Sequence, residues 1–282
     1  MKTRLHKRPP TSDVSKERGR KEKSLPPSDH RICRIASVSK MSPHTFRIAT
    51  LVVALISPAL ADELPKLPVP LYETREEHDR NGIGKFFLGR EIAHVMGHQA
   101  ADWLERPERE EEEKTDVMID ALKFREGEVV ADIGCGSGYI SRRIAKKIGA
   151  KGVVYGVDIQ QEMLDLLAKR MAMFRIENVK PIMGDVTDPK LPPESCDTMI
   201  MVDVYHEFDQ PYEMIANMVK ALKRGGRIVF VEFRKEDPNV RIKEVHRMSE
   251  AQVKKEMALH SLEWVETIGV LPIQHIIVFR KK

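Results

Sequence analysis

Val129-Val130-Ala131-Asp132-Ile133-Gly134-Cys135-Gly136-Ser137-Gly138 is a short apolar run that ends in three alternate glycines. It reads as a buried strand opening onto a ligand loop, because glycine tolerates φ > 0 and lets backbone N–H groups approach a ligand closely. Ile140, Ile144 and Ile148 then recur every four residues, with Arg142, Arg143, Lys146 and Lys147 between them. That spacing predicts a helix with one face on the sheet and its N-terminus at the loop, which Ser137 is placed to cap. Twenty residues after Gly138, the apolar run Val153-Val154-Tyr155-Gly156-Val157 closes on Asp158, the position at which a nucleoside-binding α/β sheet reads a ribose.

The spacing of the glycines discriminates between cofactors. A dinucleotide fingerprint requires G-x-G-x-x-G, whereas here the third glycine falls one residue early and position 139 is Tyr. The pattern D-x-G-x-G-x-G, followed by Asp158, resembles the class I S-adenosylmethionine-dependent methyltransferases. The resemblance implies that Asp132, Gly134, Gly136 and Gly138 face the methionine and ribose parts of the cofactor, and that Asp158 accepts from both ribose hydroxyls.

Further segments continue in the same order. Val179-Lys180-Pro181-Ile182-Met183 reads as a third strand, followed by Gly184-Asp185-Val186-Thr187-Asp188. The resemblance gives Asp185 the adenine amino group and Val186 the ring, with Asp188 as the rival for Asp185. Thr198-Met199-Ile200-Met201-Val202 is apolar on both faces, as a buried parallel strand is, and leads into Asp203-Val204-Tyr205-His206-Glu207-Phe208. Asp203 is grouped with the cofactor residues. Substrate chemistry is expected at this carboxyl end of a strand, so His206, whose pKa lies near neutrality, and Tyr205 are the candidate catalytic residues. The Asn/Asp-Pro-Pro-Tyr signature of some amino-group methyltransferases is absent from this position. The Thr/Ser-rich segment ending in Pro-His that precedes the glycine loop of protein-isoaspartate methyltransferases is absent too.

Downstream, an amphipathic segment from Tyr212 to Leu222 stops at Lys223-Arg224-Gly225-Gly226, ahead of Ile228-Val229-Phe230-Val231-Glu232-Phe233. Ser249 with Gln252 forms a capping box for a helix reaching about His260. Two last strands, 262–271 and 274–280, are too close together to be parallel. The resemblance implies that these elements assemble into an α/β fold: a doubly wound, mostly parallel seven-stranded sheet with helices on both faces and a C-terminal antiparallel hairpin, here preceded by a helical N-terminal cap over residues 62–115. The methyltransferase domain is expected over 116–282.

The remaining composition narrows the function. Three scattered cysteines, Cys33, Cys135 and Cys196, give neither a disulfide framework nor a thiolate metal site, and they offer little for the arsenic-methylating branch of the family. His94, His98 and Asp102 have helical spacing but no H-E-x-x-H pattern, so no metal centre is expected. The 110–113 glutamate run reads as a solvated helix face. Residues 1–40 hold twelve Lys/Arg against four Asp/Glu and show no periodicity, which predicts a basic disordered extension. Residues 41–61 have the layout of a signal peptide, with Arg47, an apolar run and Ala59-Leu60-Ala61, which implies a periplasmic or secreted protein if the signal is used and a cytoplasmic one otherwise. Of the overall formal charge of +4, +8 lies in the prefix and +1 at Arg47, leaving −5 on residues 62–282. That balance removes the electrostatic argument for a nucleic-acid partner.

The function expected is methyl transfer from S-adenosyl-L-methionine to a small-molecule acceptor, with no stable membrane span. The alternatives are a nicotinamide-dinucleotide oxidoreductase and a secreted, non-catalytic binding protein on the same fold.

Overall fold

The computed structural model describes residues 66–282; the basic extension and signal-like segment lie outside the described residues. The chain first forms a small antiparallel sheet, β1 (Tyr72–Thr74), β2 (Gly82–Phe87) and β3 (Arg90–Ala93). A 3-10 helix (His98–Glu105) and the short helices α1 (Arg109–Glu113) and α2 (Thr115–Ala121) follow. The main domain then alternates β4 (Val129–Ile133), α3 (Tyr139–Ile148), β5 (Val153–Asp158), α4 (Gln161–Phe174), β6 (Val179–Met183), β7 (Cys196–Val202), α5 (Pro211–Ala221) and β8 (Leu222–Arg234). It closes with β9 (Arg247–Met248), α6 (Glu250–Met257), β10 (Leu262–Ile268) and β11 (Gln274–Lys281).

The strand order is β10-β11-β8-β7-β4-β5-β6, with the two-residue β9 paired to β8. Every pair from β8 to β6 is parallel, whereas β11 runs antiparallel to both neighbours. The expected doubly wound sheet with one reversed strand is therefore present. The chain reverses its winding between β4 and β7, and that switch point places the loops after both strands around one crevice.

Period-two alternation along the central strands supplies both faces of the sheet. Val130, Ile200, Val229 and Val231 pack with Ile140, Ile144, Ile148 and Leu167 of α3 and α4. Their neighbours Ala131, Met199, Met201, Ile228 and Phe230 pack with Met214, Ile215 and Met218 of α5 and Val253 and Met257 of α6. Each such fully buried aliphatic or aromatic side chain contributes roughly 1.5–3 kcal/mol. Ser249 caps α6 by accepting from Gln252 N–H at 3.1 Å, although the helix ends at Met257, short of His260.

The cap departs from its helical expectation. Residues 72–93 are a β-meander, and the turn between β2 and β3 is Leu88-Gly89, both at positive φ (49° and 90°). Two consecutive positive-φ residues make the turn whose twist matches a hairpin. Phe87 and Ile92 then bury against Leu259, with Tyr72 and Tyr212 at their edge. The helix expected to carry His94 and His98 does not form: His94 follows β3 and His98 starts the 3-10 helix.

Candidate active site

The loops after β4, β5, β6 and β7, together with the cap and residues 241–246, enclose a cavity of about 680 Å³. Gly134 and Gly136 turn with φ of +70° and +51°. A Cβ on Gly134 would lie 2.5 Å from Val204 Cγ1, and one on Gly136 would lie 2.6 Å from Leu104 Cδ1. Side chains at these positions would fill the cradle, so the backbone itself forms that wall. Gly138 is the N-cap of α3 and does not line the cavity; a Cβ there would meet Leu167 Cδ1 at 2.2 Å, so it serves helix packing. Ser137 does not cap α3. Its hydroxyl donates to Glu105 Oε1 at 2.6 Å, and Arg142 holds both oxygens of that carboxylate at 2.8 and 2.7 Å, fastening the end of the 3-10 helix to the glycine loop.

Asp132, Asp158, Asp185, Val186 and Asp203 all line the same cavity. Asp158 Oδ2 accepts from Gly136 N–H at 2.9 Å and Oδ1 from Gln160 N–H at 3.0 Å, which fixes its fork at the end of β5. Burial raises its carboxyl above the usual range. Asp132 accepts from the Ser141 hydroxyl at 2.5 Å, and burial pushes its carboxyl up to about 6. Asp185 is held by Thr187 N–H and Oγ1, both at 2.8 Å, and by Lys190 at 2.7 Å, and these partners lower its carboxyl. Asp188 instead bonds Lys190 and is not part of the cavity wall. Asp203 sits at φ +55° and accepts from Gln274 Nε2 at 2.8 Å, while its Oδ1 is buried without a partner. An orphaned buried acceptor at a cavity wall fits a ligand donor such as an α-ammonium group.

At the other end of the cavity His206 is buried and presents Nε2 to the space, with its Nδ1 2.6 Å from Glu232 Oε2. Glu232 Oε1 accepts from Tyr205 N–H at 2.9 Å. Burial pushes His206 down to about 4 and Glu232 up to about 8, so the imidazole is neutral and a single proton joins the pair. His246 Nδ1 lies 3.1 Å from His206 Nε2, and burial with the neighbouring imidazole pushes His246 to about 4. Glu207, which accepts from Met96 N–H at 3.2 Å, is pushed up to about 7 by burial.

Tyr205 is not brought to the cavity. Its ring is fully buried between Phe208 and Phe230, and its hydroxyl donates to Glu256 at 2.5 Å. Glu256, on α6, is also bound by Arg90 of β3 through two bonds of 2.8 and 3.1 Å. Tyr205 therefore belongs to a buried Arg90–Glu256–Tyr205 network that ties the cap to the main domain.

Four features escaped the sequence reading. The 109–113 helix is solvated at Glu111 and Glu112, but its two ends are buried: Arg109 and Glu113 are 4% and 1% exposed, bonded at 2.9 Å, and Arg109 lines the cavity. Gln160 clamps the cap by donating to Met96 O and accepting from His98 N–H, both at 2.9 Å. Glu232 and His246 carried no local signal, since neither adjoins a recognisable motif. Among the described residues, His206, Glu207 and His246 come close enough together to share an ion, and His94, His98 and Asp102 do not.

The sheet order, the glycine cradle and the row of carboxylates decide the family, and residues 124–268 match the family described as "Methyltransferase domain". The chain belongs to that family. Its fold is shared with a SAM-dependent methyltransferase from Aquifex aeolicus, with a TM-score of 0.63 at 20% identity over 67% of this chain and all of the other. Among curated relatives, an aklanonic acid methyltransferase of Streptomyces sp. is 30% identical over 40% of this chain and 51% of its own length. A protein-L-isoaspartate O-methyltransferase of Methanocella arvoryzae is 33% identical over 40% of this chain and 57% of its own length. The chain thus spans little more than half the length of these relatives. The cofactor of the methyltransferase family is S-adenosylmethionine, and the residues present fit it: the cradle excludes Cβ atoms, Asp158 offers a fixed fork, and Asp203 Oδ1 is free to accept.

Proposed function

We propose that this protein transfers a methyl group from S-adenosylmethionine to a small-molecule acceptor held at the His206 end of the cavity. The observation that carries the reading is that the glycine loop, Asp158, Asp185 and His206 all line one continuous cavity. The cofactor, when bound, supplies an electrophilic methyl group on a sulfonium. Asp158 accepts from the ribose hydroxyls, Asp185 and Val186 flank the adenine, and Asp203 accepts from the ammonium. The acceptor lies among Asn81 and Met96 of the cap, Phe208 after the 205–207 turn and Ile242 of the 241–246 segment, all of which line the cavity. His206, held by Glu232, is the group positioned to take a proton from it. Methyl transfer needs mainly that nucleophile and methyl be held at near-attack distance, a role suited to a cavity walled by the cap. The similarity to an aklanonic acid methyltransferase supports a small-molecule acceptor.

Calorimetric titration tests the cofactor: S-adenosylmethionine is expected to bind and NAD is not, and the opposite result would favour the dinucleotide reading. With an acceptor found by a labelled-methyl screen, His206→Ala is expected to lower kcat at least a hundredfold, on the order of general acid–base catalysis, while cofactor affinity changes less than threefold. The converse pattern would move His206 into the cofactor shell. Absence of turnover on every acceptor class would favour a non-catalytic binder. The 41–61 segment supports export of the protein, and a mature product retaining residue 1 by mass spectrometry would count against it.

A further inference from the structure

We propose that His206, Glu207 and His246 form a binding site for one divalent ion of the zinc, cobalt, nickel or iron class, open toward the cavity. The proposal rests on the reading above only in placing the acceptor beside it.

The geometry is that of a three-ligand site. His206 Nε2 and His246 Nδ1 are 3.1 Å apart, and Glu207 Oε1 lies 3.9 Å from the first and 3.8 Å from the second. Ligands of a tetrahedral ion with bonds of about 2.0–2.1 Å lie roughly 3.3 Å from each other, so a small movement of the Glu207 side chain closes the triangle. All three residues line the cavity, which leaves further coordination positions facing it. Two imidazoles and one carboxylate with an open position suit borderline divalent cations, whereas magnesium and calcium take oxygen ligands.

The surroundings are built for ligation as well. Glu232, fully buried, bonds His206 Nδ1 and thereby aims Nε2 at the site, the carboxylate–histidine arrangement that orients metal-binding imidazoles. Glu207 is anchored through Oε2 by Met96 N–H, which leaves Oε1 for the ion. A hydrogen bond between the two rings would account for their 3.1 Å contact but leaves Glu207 Oε1 nearly 4 Å from either, beyond hydrogen-bond reach. An ion satisfies all three atoms together.

The open positions would take an oxygen donor from the acceptor, a hydroxyl or a carboxylate. The ion, when bound, would lower the pKa of a hydroxyl held there, and His206 would serve as its ligand; without the ion, His206 is the base proposed above. No local sequence signal marks the site, since the two histidines are separated by forty residues and share no H-E-x-x-H spacing.

The test uses the full chain, stripped with a chelator and titrated with Co²⁺, read by calorimetry and by visible absorption. One equivalent is expected to bind with the spectrum of a nitrogen-ligated ion. His246→Ala and Glu207→Gln are each expected to weaken it at least tenfold, about 1.4 kcal/mol. Glu232→Gln, which leaves the three ligands in place, is expected to weaken it about tenfold through lost orientation of His206. S-adenosylmethionine affinity, measured on the same preparations, is expected to stay within twofold and reports that each variant is folded. Absence of stoichiometric Co²⁺ binding, or equal binding by wild type and the His246 and Glu207 variants, would overturn the proposal. Variant-sensitive Co²⁺ binding without S-adenosylmethionine binding would uphold the site and overturn the methyltransferase reading instead.

Discussion

The two ends of the cavity differ in how far the chain must travel to build them. The glycine-loop end draws Asp132 to Gly136, Asp158 and Asp185 from three successive strand–loop units at the carboxyl ends of β4, β5 and β6, joined by Asp203 just after β7. The acceptor end gathers His206 and Glu207 from the turn after β7, Glu232 from within β8, His246 from the turn before β9, and supporting contacts from the cap. The first end relies on backbone turns and local bonds, such as Gly136 N–H to Asp158. The second relies on buried polar groups whose partners are far away in sequence, and its stability is correspondingly more exposed to single substitutions.

Glu256→Ala would strain this contrast most. It leaves the Arg90 guanidinium, whose side chain is 8% exposed, buried without its carboxylate, and breaking a buried pair from one side costs about 3–5 kcal/mol. Urea denaturation should show that loss, and a cost below about 1 kcal/mol would mean that the acceptor end does not depend on this network.

At the cofactor end, Asp158→Ala is expected to weaken S-adenosylmethionine binding at least tenfold, about 1.4 kcal/mol, by removing charge-assisted bonds to the ribose. Unchanged affinity in calorimetry would end the ribose assignment. The smallest effect is expected for Tyr205→Phe, which removes one hydrogen bond to Glu256 while Arg90 still pairs it. A loss of about 0.5–1.5 kcal/mol of stability with kcat nearly unchanged should follow. A hundredfold fall in kcat would return the Tyr205 hydroxyl to the chemistry.

The same division explains what was legible in the chain. The strands and the antiparallel final pair followed from apolar runs, turn residues and the shortness of the link between β10 and β11, and the doubly wound arrangement from the family resemblance of the glycine loop. The carboxylates that share the cavity were legible because each stands at or near the end of a strand, Asp132 in β4, Asp158 closing β5, Asp185 two residues past β6 and Asp203 one past β7. Tyr205 was misplaced because three consecutive residues after β7 project differently: the 3-10 turn sends Tyr205 into the core and His206 to the cavity. The cap was read as helical from the spacing of His94 and His98 and from the charged run at 110–113, whereas Leu88-Gly89 at positive φ turns residues 82–93 into a hairpin. The acidic run at 110–113 looked solvated because its composition is; burial of Glu113 depends on Arg106 and Arg109 folding over it.

By itself the sequence determined the doubly wound sheet and the position of the cofactor loop, since strand periodicity, glycine spacing and strand-end carboxylates act over a few residues. Only the tertiary structure decided the acceptor end. The Glu232–His206–His246 chain, the Arg90–Glu256–Tyr205 network and the cap's closure over the cavity arise from contacts between residues dozens to more than a hundred positions apart. Such contacts are fixed by packing of the whole domain, which no local pattern encodes.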